Sequence, residues 1–156
     1  EVICGPMFSG KSEELIKRLR RAQIAKRRVQ IFKHGSDVRY DASSIVSHSQ
    51  QTIPSRAVTD VRRILELVDD RTELVAIDEA QFFSEDIIEV TNTLANRGKR
   101  VIVAGLELDF MGVPFGPMPQ LLCCAEYVTK QLAICMTCSW KMGTPRVRSR
   151  MGSSLG

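Results

Sequence analysis

Gly5-Pro6-Met7-Phe8-Ser9-Gly10-Lys11-Ser12 satisfies the pattern GxxxxGK[ST], and its flanks give the pattern meaning: an apolar stub, Val2-Ile3-Cys4, precedes it and a helix-like run follows. A strand that feeds a glycine-rich turn into a helix aims several backbone N–H groups and the positive end of the helix dipole at one point, where a polyphosphate can sit. On this reading residues 5–12 wrap the phosphates, Lys11 adds a mobile cation for the outer ones, and the Ser12 hydroxyl ligates Mg²⁺. The alternative is a chance glycine turn, and the strand and helix in register on either side argue against it.

Beyond the loop, Leu15, Ile16, Leu19, Ala22 and Ala25 recur at helical spacing and predict one buried face. Lys17, Arg18, Arg20, Arg21, Lys26, Arg27 and Arg28 then form the solvated side. Residues 29–33 read as a strand, and residues 34–57 as a long polar connection with only Ile45-Val46 as a short strand. Asp60 caps a helix over residues 60–68 that turns Val61, Ile64, Leu65 and Val68 inward. Leu74-Val75-Ala76-Ile77 is a continuous apolar run, as expected of a strand covered on both faces, and Val101-Ile102-Val103-Ala104 repeats it. Between them Ser84 caps a helix that Gly98 stops. A short helix from Pro119 to Glu126 and a last strand over residues 127–133 complete an α/β domain, a parallel sheet with helices on both faces.

The chain of 156 residues suits one domain with its own core, and no apolar stretch approaches the roughly 20 residues of a membrane span. Five cysteines, an odd number, do not make a disulfide framework; with no signal peptide visible, they predict a reducing, cytoplasmic setting and no membrane partner. Cys123 and Cys124 read as small core residues. The net charge of +4 resides in the tail, since residues 139–156 hold Lys141, Arg146, Arg148 and Arg150 and no acid. Removing those four leaves eighteen basic against eighteen acidic residues, a neutral body without the field that steers nucleic acid.

Asp78 stands where an apolar strand ends, the place from which a phosphate-loop protein positions Mg²⁺ or its water shell. Glu79, one residue on, can face the γ-phosphate side and take a proton from an attacking hydroxyl or water. The alternative for Glu79 is a surface carboxylate at a strand end.

Several stretches together resemble the thymidine kinases of the compact phosphate-loop type. Residues 5–15 are similar to that family's opening, Asp37-Val38-Arg39-Tyr40 to its DxRY, Ser47-His48 to its SH segment, and Asp78-Glu79-Ala80-Gln81-Phe82-Phe83 to its DExQFF. Residues 106–116, from Leu106 to Gly116, resemble its nucleoside-side loop LDxDFxGxPFG, so the likeness covers about residues 1–138. It implies a RecA-like phosphate-loop core and transfer of a phosphoryl group from ATP to the 5′-hydroxyl of thymidine or deoxyuridine. Glu79 then falls on the family's general base, Lys11, Ser12, Asp78 and Gln81 on its nucleotide side, and Arg39, with Asp37 beside it, on an arginine near the phosphates. Met7, Phe82, Leu106, Phe110 and Phe115 match the deoxynucleoside pocket, where aromatic walls suit a flat pyrimidine. The alternative is that these side chains fill the core; for Phe110 and Phe115 a loop rich in Gly and Pro argues against it. The resemblance further implies a homotetramer with feedback by dTTP.

Cys135-Met136-Thr137-Cys138 has zinc-knuckle spacing, and the family completes such a pair some thirty residues later, beyond the end of this sequence. A structural Zn²⁺ takes four protein ligands, so Cys135 and Cys138 are either half of a site or a free dithiol. The expected organisation is a nucleotide-binding domain over residues 1–132 and an incomplete zinc-knuckle-like subdomain with a flexible tail over residues 133–156. From Ser139 the base-covering loop of the family is not recognisable, which leads to the expectation that this chain binds nucleotide but phosphorylates thymidine poorly. The other readings are a nucleic-acid-dependent ATPase of RecA-like fold and a nucleotide-binding remnant without kinase activity.

Overall fold

Every strand of the main sheet runs the same way, as the continuous apolar runs demand. The computed structural model describes residues 1–35, 44–46, 52–134 and 141–142. Strand β1 (Val2–Cys4) leads through the glycine-rich loop into α1 (Lys11–Ile24), and β2 (Val29–His34) follows. A small antiparallel pair, β3 (Ser44–Val46) and β4 (Thr52–Pro54), precedes β5 (Arg56–Val58) and α2 (Arg63–Leu67). Next come β6 (Leu74–Asp78), a 3-10 turn over Ala80–Phe82, α3 (Asp86–Asn96), β7 (Arg100–Gly105), α4 (Met118–Cys124) and β8 (Val128–Lys130). Two short strands, β9 (Ala133–Ile134) and β10 (Lys141–Met142), pair antiparallel. The six-stranded sheet has the order β5-β2-β6-β7-β1-β8, and all its pairings are parallel.

Alternation along the strands builds two cores. Ile3, Ala76, Ile102 and Ala104 pack with Leu15, Ile16, Leu19 and Ala22 of α1 and with Ile45 and Ile53 of the β3–β4 pair. Val2, Cys4, Val75, Ile77 and Val103 point the other way, into a cluster with Ile64, Ile87, Val90, Leu94, Met118 and Leu121 from α2, α3 and α4. The sheet is therefore covered on both faces, as predicted, and the ends of β1, β6 and β7 meet at one edge. The stop at Gly98 also holds: its φ is 76°, and Lys99 N–H closes on the Leu94 carbonyl at 3.2 Å, as a left-handed helix end requires.

Several expectations need correction. Arg56 and Ala57, read as the end of a polar connection, belong with Val58 to an edge strand paired with β2, and Thr52–Pro54 is a strand as well. Such three-residue strands bury too few side chains to leave a period. Ala25 is exposed, because α1 ends at Ile24 and Ala25 serves as its C-cap. The last strand is divided, with β8 ending at Lys130 and β9 starting at Ala133. Cys123 and Cys124 are exposed rather than core, since Met118 and Leu121 form the buried stripe of α4. Among the described residues no helix is long and apolar enough to cross a membrane.

Candidate functional site

The loop between β1 and α1 folds around a lysine. Lys11 donates from Nζ to the Pro6 carbonyl at 2.7 Å, and burial lowers its pKa while the charges of Asp78, Glu79 and Glu107 pull it back up. Gly10 caps α1 in the left-handed conformation, and Ser12 lies partly buried in the first helical turn. Ser9 Oγ is buried without a hydrogen-bond partner among the described residues. Gly5 starts the loop at φ 148°, and a Cβ there would lie 2.3 Å from the Gln131 carbonyl oxygen, so only glycine fits.

The end of β6 supplies the acids. Asp78 is buried, and its pKa is pushed up to about 7, chiefly by burial and then by the neighbouring charge of Glu79. The Glu79 N–H donates to Asp78 Oδ1 at 2.9 Å, and the charges of Lys11 and Lys33 oppose the rise. Glu79 itself has φ 56°, a left-handed conformation uncommon outside glycine and a form of strain that concentrates at functional sites. Gln81 locks it: Nε2 donates to Glu79 Oε2 at 2.5 Å, and Oε1 accepts the Leu106 N–H at 3.0 Å. The buried Gln81 thus joins the carboxylate to the loop that follows β7.

That loop is held by Asp109. Its Oδ1 accepts the Met111 and Val113 N–H groups at 2.8 and 2.9 Å, while Leu108 and Pro114 form a bridge across the neck. Gly116, at φ 51°, seats the loop on the acid segment; a Cβ would come 2.4 Å from the Gln81 carbonyl oxygen. Phe82 and Phe115 meet edge to face at 5.6 Å, and His34 contacts both Phe82 and Phe83. Phe110 is 87% exposed and Met7 56%, which removes the core-filling alternative for both, while Leu106 and Phe115 are half-buried.

The structure therefore brings together Lys11, Asp78, Glu79 and Gln81, with Phe82 and Phe115 alongside. Asp37, Arg39, Ser47, His48, Cys135 and Cys138 lie outside the described residues. Among the described residues no group of three or more His, Cys, Asp or Glu side chains is placed to hold a metal. Magnesium does not need one, because it keeps several waters and binds through one or two protein oxygens. A hydroxyl at Ser12 and a buried carboxylate at Asp78 are hard oxygen donors of that kind, and a cation would relieve the crowding of Asp78 against Glu79. One carboxylate beside the loop has no sequence assignment: Glu107 is 5% exposed, and its only ion-pair partner among the described residues is Lys130. The signal that could have found it is the one that found Asp78, an acid just past a buried apolar strand.

The family model described as thymidine kinase matches residues 1–150. The chain belongs to the thymidine kinase family. The match passes Ser139, where the resemblance read from motifs stops. Thymidine kinase membership makes the chain a nucleotide-handling phosphotransferase, with thymidine phosphorylation as its general chemistry.

Proposed function

We propose that this chain transfers the γ-phosphoryl group of ATP to the 5′-hydroxyl of thymidine or deoxyuridine, with Glu79 as general base. The observation that carries the reading is the meeting of the glycine-rich loop with the Asp78-Glu79 pair at one edge of a parallel sheet, beside the Phe82–Phe115 edge-to-face pair. Residues 5–12 hold the triphosphate through backbone N–H groups and Lys11. Ser12 and Asp78 would hold Mg²⁺, which would supply neutralising charge to the phosphates. Glu79, fixed by Gln81, accepts the proton as the nucleoside oxygen attacks in line. Arg39, with Asp37 beside it, adds positive charge at the transferring group. Phe82 and Phe115, with Met7, Leu106 and Phe110, form the nucleoside side.

The proposal extends, on resemblance, to a homotetramer in the cytoplasm, feedback by dTTP, half of a structural Zn²⁺ site at Cys135 and Cys138, and a division into residues 1–132 and 133–156. Glu79→Gln tests the mechanism, since it preserves shape and removes the base. ATP binding should stay within a few-fold and turnover should fall by roughly 10² or more. Undiminished turnover would place the base elsewhere.

A further inference from the structure

A buried carboxylate needs a partner, and Glu107 has one that ties three segments together. Both its oxygens are buried without a hydrogen-bond donor among the described residues, and Oε1 lies 3.3 Å from Lys130 Nζ at the end of β8. Burying a charge is costly unless it is paired, so this contact constrains where β8 ends. The next residue then touches the glycine-rich loop: Gln131 N–H donates to the Cys4 carbonyl at 2.7 Å, and its own carbonyl occupies the space beside Gly5 that a Cβ would need. The Glu107 carbonyl accepts the Phe115 N–H at 3.0 Å, which joins the nucleoside-side loop to the same point. The charge of Glu107 also bears on Lys11.

We propose that Glu107 is a positioning residue for the phosphate loop. Through Lys130 it holds Gln131 against Gly5 and so fixes the seat on which the loop receives the triphosphate. Its consequence for ATP rests on the kinase reading above; its effect on the loop does not.

The test uses the whole chain as Glu107→Gln, Lys130→Gln and the double variant. Hydrogen exchange in the free protein should quicken about tenfold at the amides of residues 5–12 in each single variant, with α3 amides unchanged within about twofold. KM for ATP should rise roughly fivefold while KM for thymidine holds, and the double variant should be no worse than Lys130→Gln, which leaves the buried carboxylate unpaired. Unchanged loop exchange, equal quickening in α3, or a rise in thymidine KM instead would overturn the proposal. A wild-type chain that fails to bind ATP would sink the kinase reading, and loop exchange would still decide the role of Glu107. Should Glu107→Gln fail to fold, Lys130→Gln, at a side chain 53% exposed, gives the same exchange readout.

Discussion

At Asp78 burial and the charge of Glu79 act in the same direction, and the pH dependence of stability follows. Its carboxyl ordinarily titrates at 3.8 and is pushed up to about 7 in the fold. The folded chain then holds this proton more tightly than the unfolded chain does, so the contribution is fully present below pH 3.8 and is lost as pH rises through about 7. Other acids act in the opposite sense: Glu73 and Asp86 are held low by Arg27 and Arg62, so only a difference measurement isolates Asp78. Asp78→Asn carries no such titration. Its melting temperature relative to wild type should climb steadily between about pH 4 and pH 8 in metal-free solution, and a constant difference would refute this account. Asp78 was legible in sequence as a strand-end acid, but its crowding was not, because that depends on Glu79 turning to φ 56°.

The loop after β7 is an element whose turn is braced by one side chain. Asp109 accepts two backbone N–H bonds, and a hydrogen bond to a charged group contributes about 1.5–3 kcal/mol. Asp109→Ala should loosen the turn that carries Phe110 and leads to Phe115. We expect KM for thymidine to rise roughly tenfold and KM for ATP to stay within about twofold, since the loop lies on the nucleoside side. A parallel rise in both would show that the two halves of the site are not separable in this way. Gly and Pro made this loop visible in the sequence, and buried runs did the same for β6 and β7. By contrast β5 buries only Val58 among its three residues, so composition gave no period to follow. The pairing of Glu107 with Lys130 leaves no sequence trace for a related reason: Lys130 is distant in the chain and is brought near by the parallel pairing of β1 with β8.

Over the whole molecule the sheet separates stability from chemistry, because the ligand-facing loops leave the ends of the strands while part of the core lies toward their beginnings. Leu94 illustrates the second region: it is fully buried in the last turns of α3, and its carbonyl accepts the Lys99 N–H just before β7 begins. Leu94→Ala removes apolar contacts and leaves a cavity, a change that typically costs 2–5 kcal/mol, or about 5–15 °C in a domain of this size. The glycine-rich loop and the Asp78-Glu79 pair sit at the opposite ends of the strands from Leu94. Well below the melting transition, both KM values and kcat should therefore remain within about twofold of wild type. Gly116→Ala should do the reverse. Its Cβ would press on the Gln81 carbonyl and disturb the residue that holds Glu79, so turnover should fall by roughly tenfold or more for a smaller loss of melting temperature. If Leu94→Ala lowered turnover in proportion to stability, core and site would be one mechanical unit, and the division by sheet edge would be wrong.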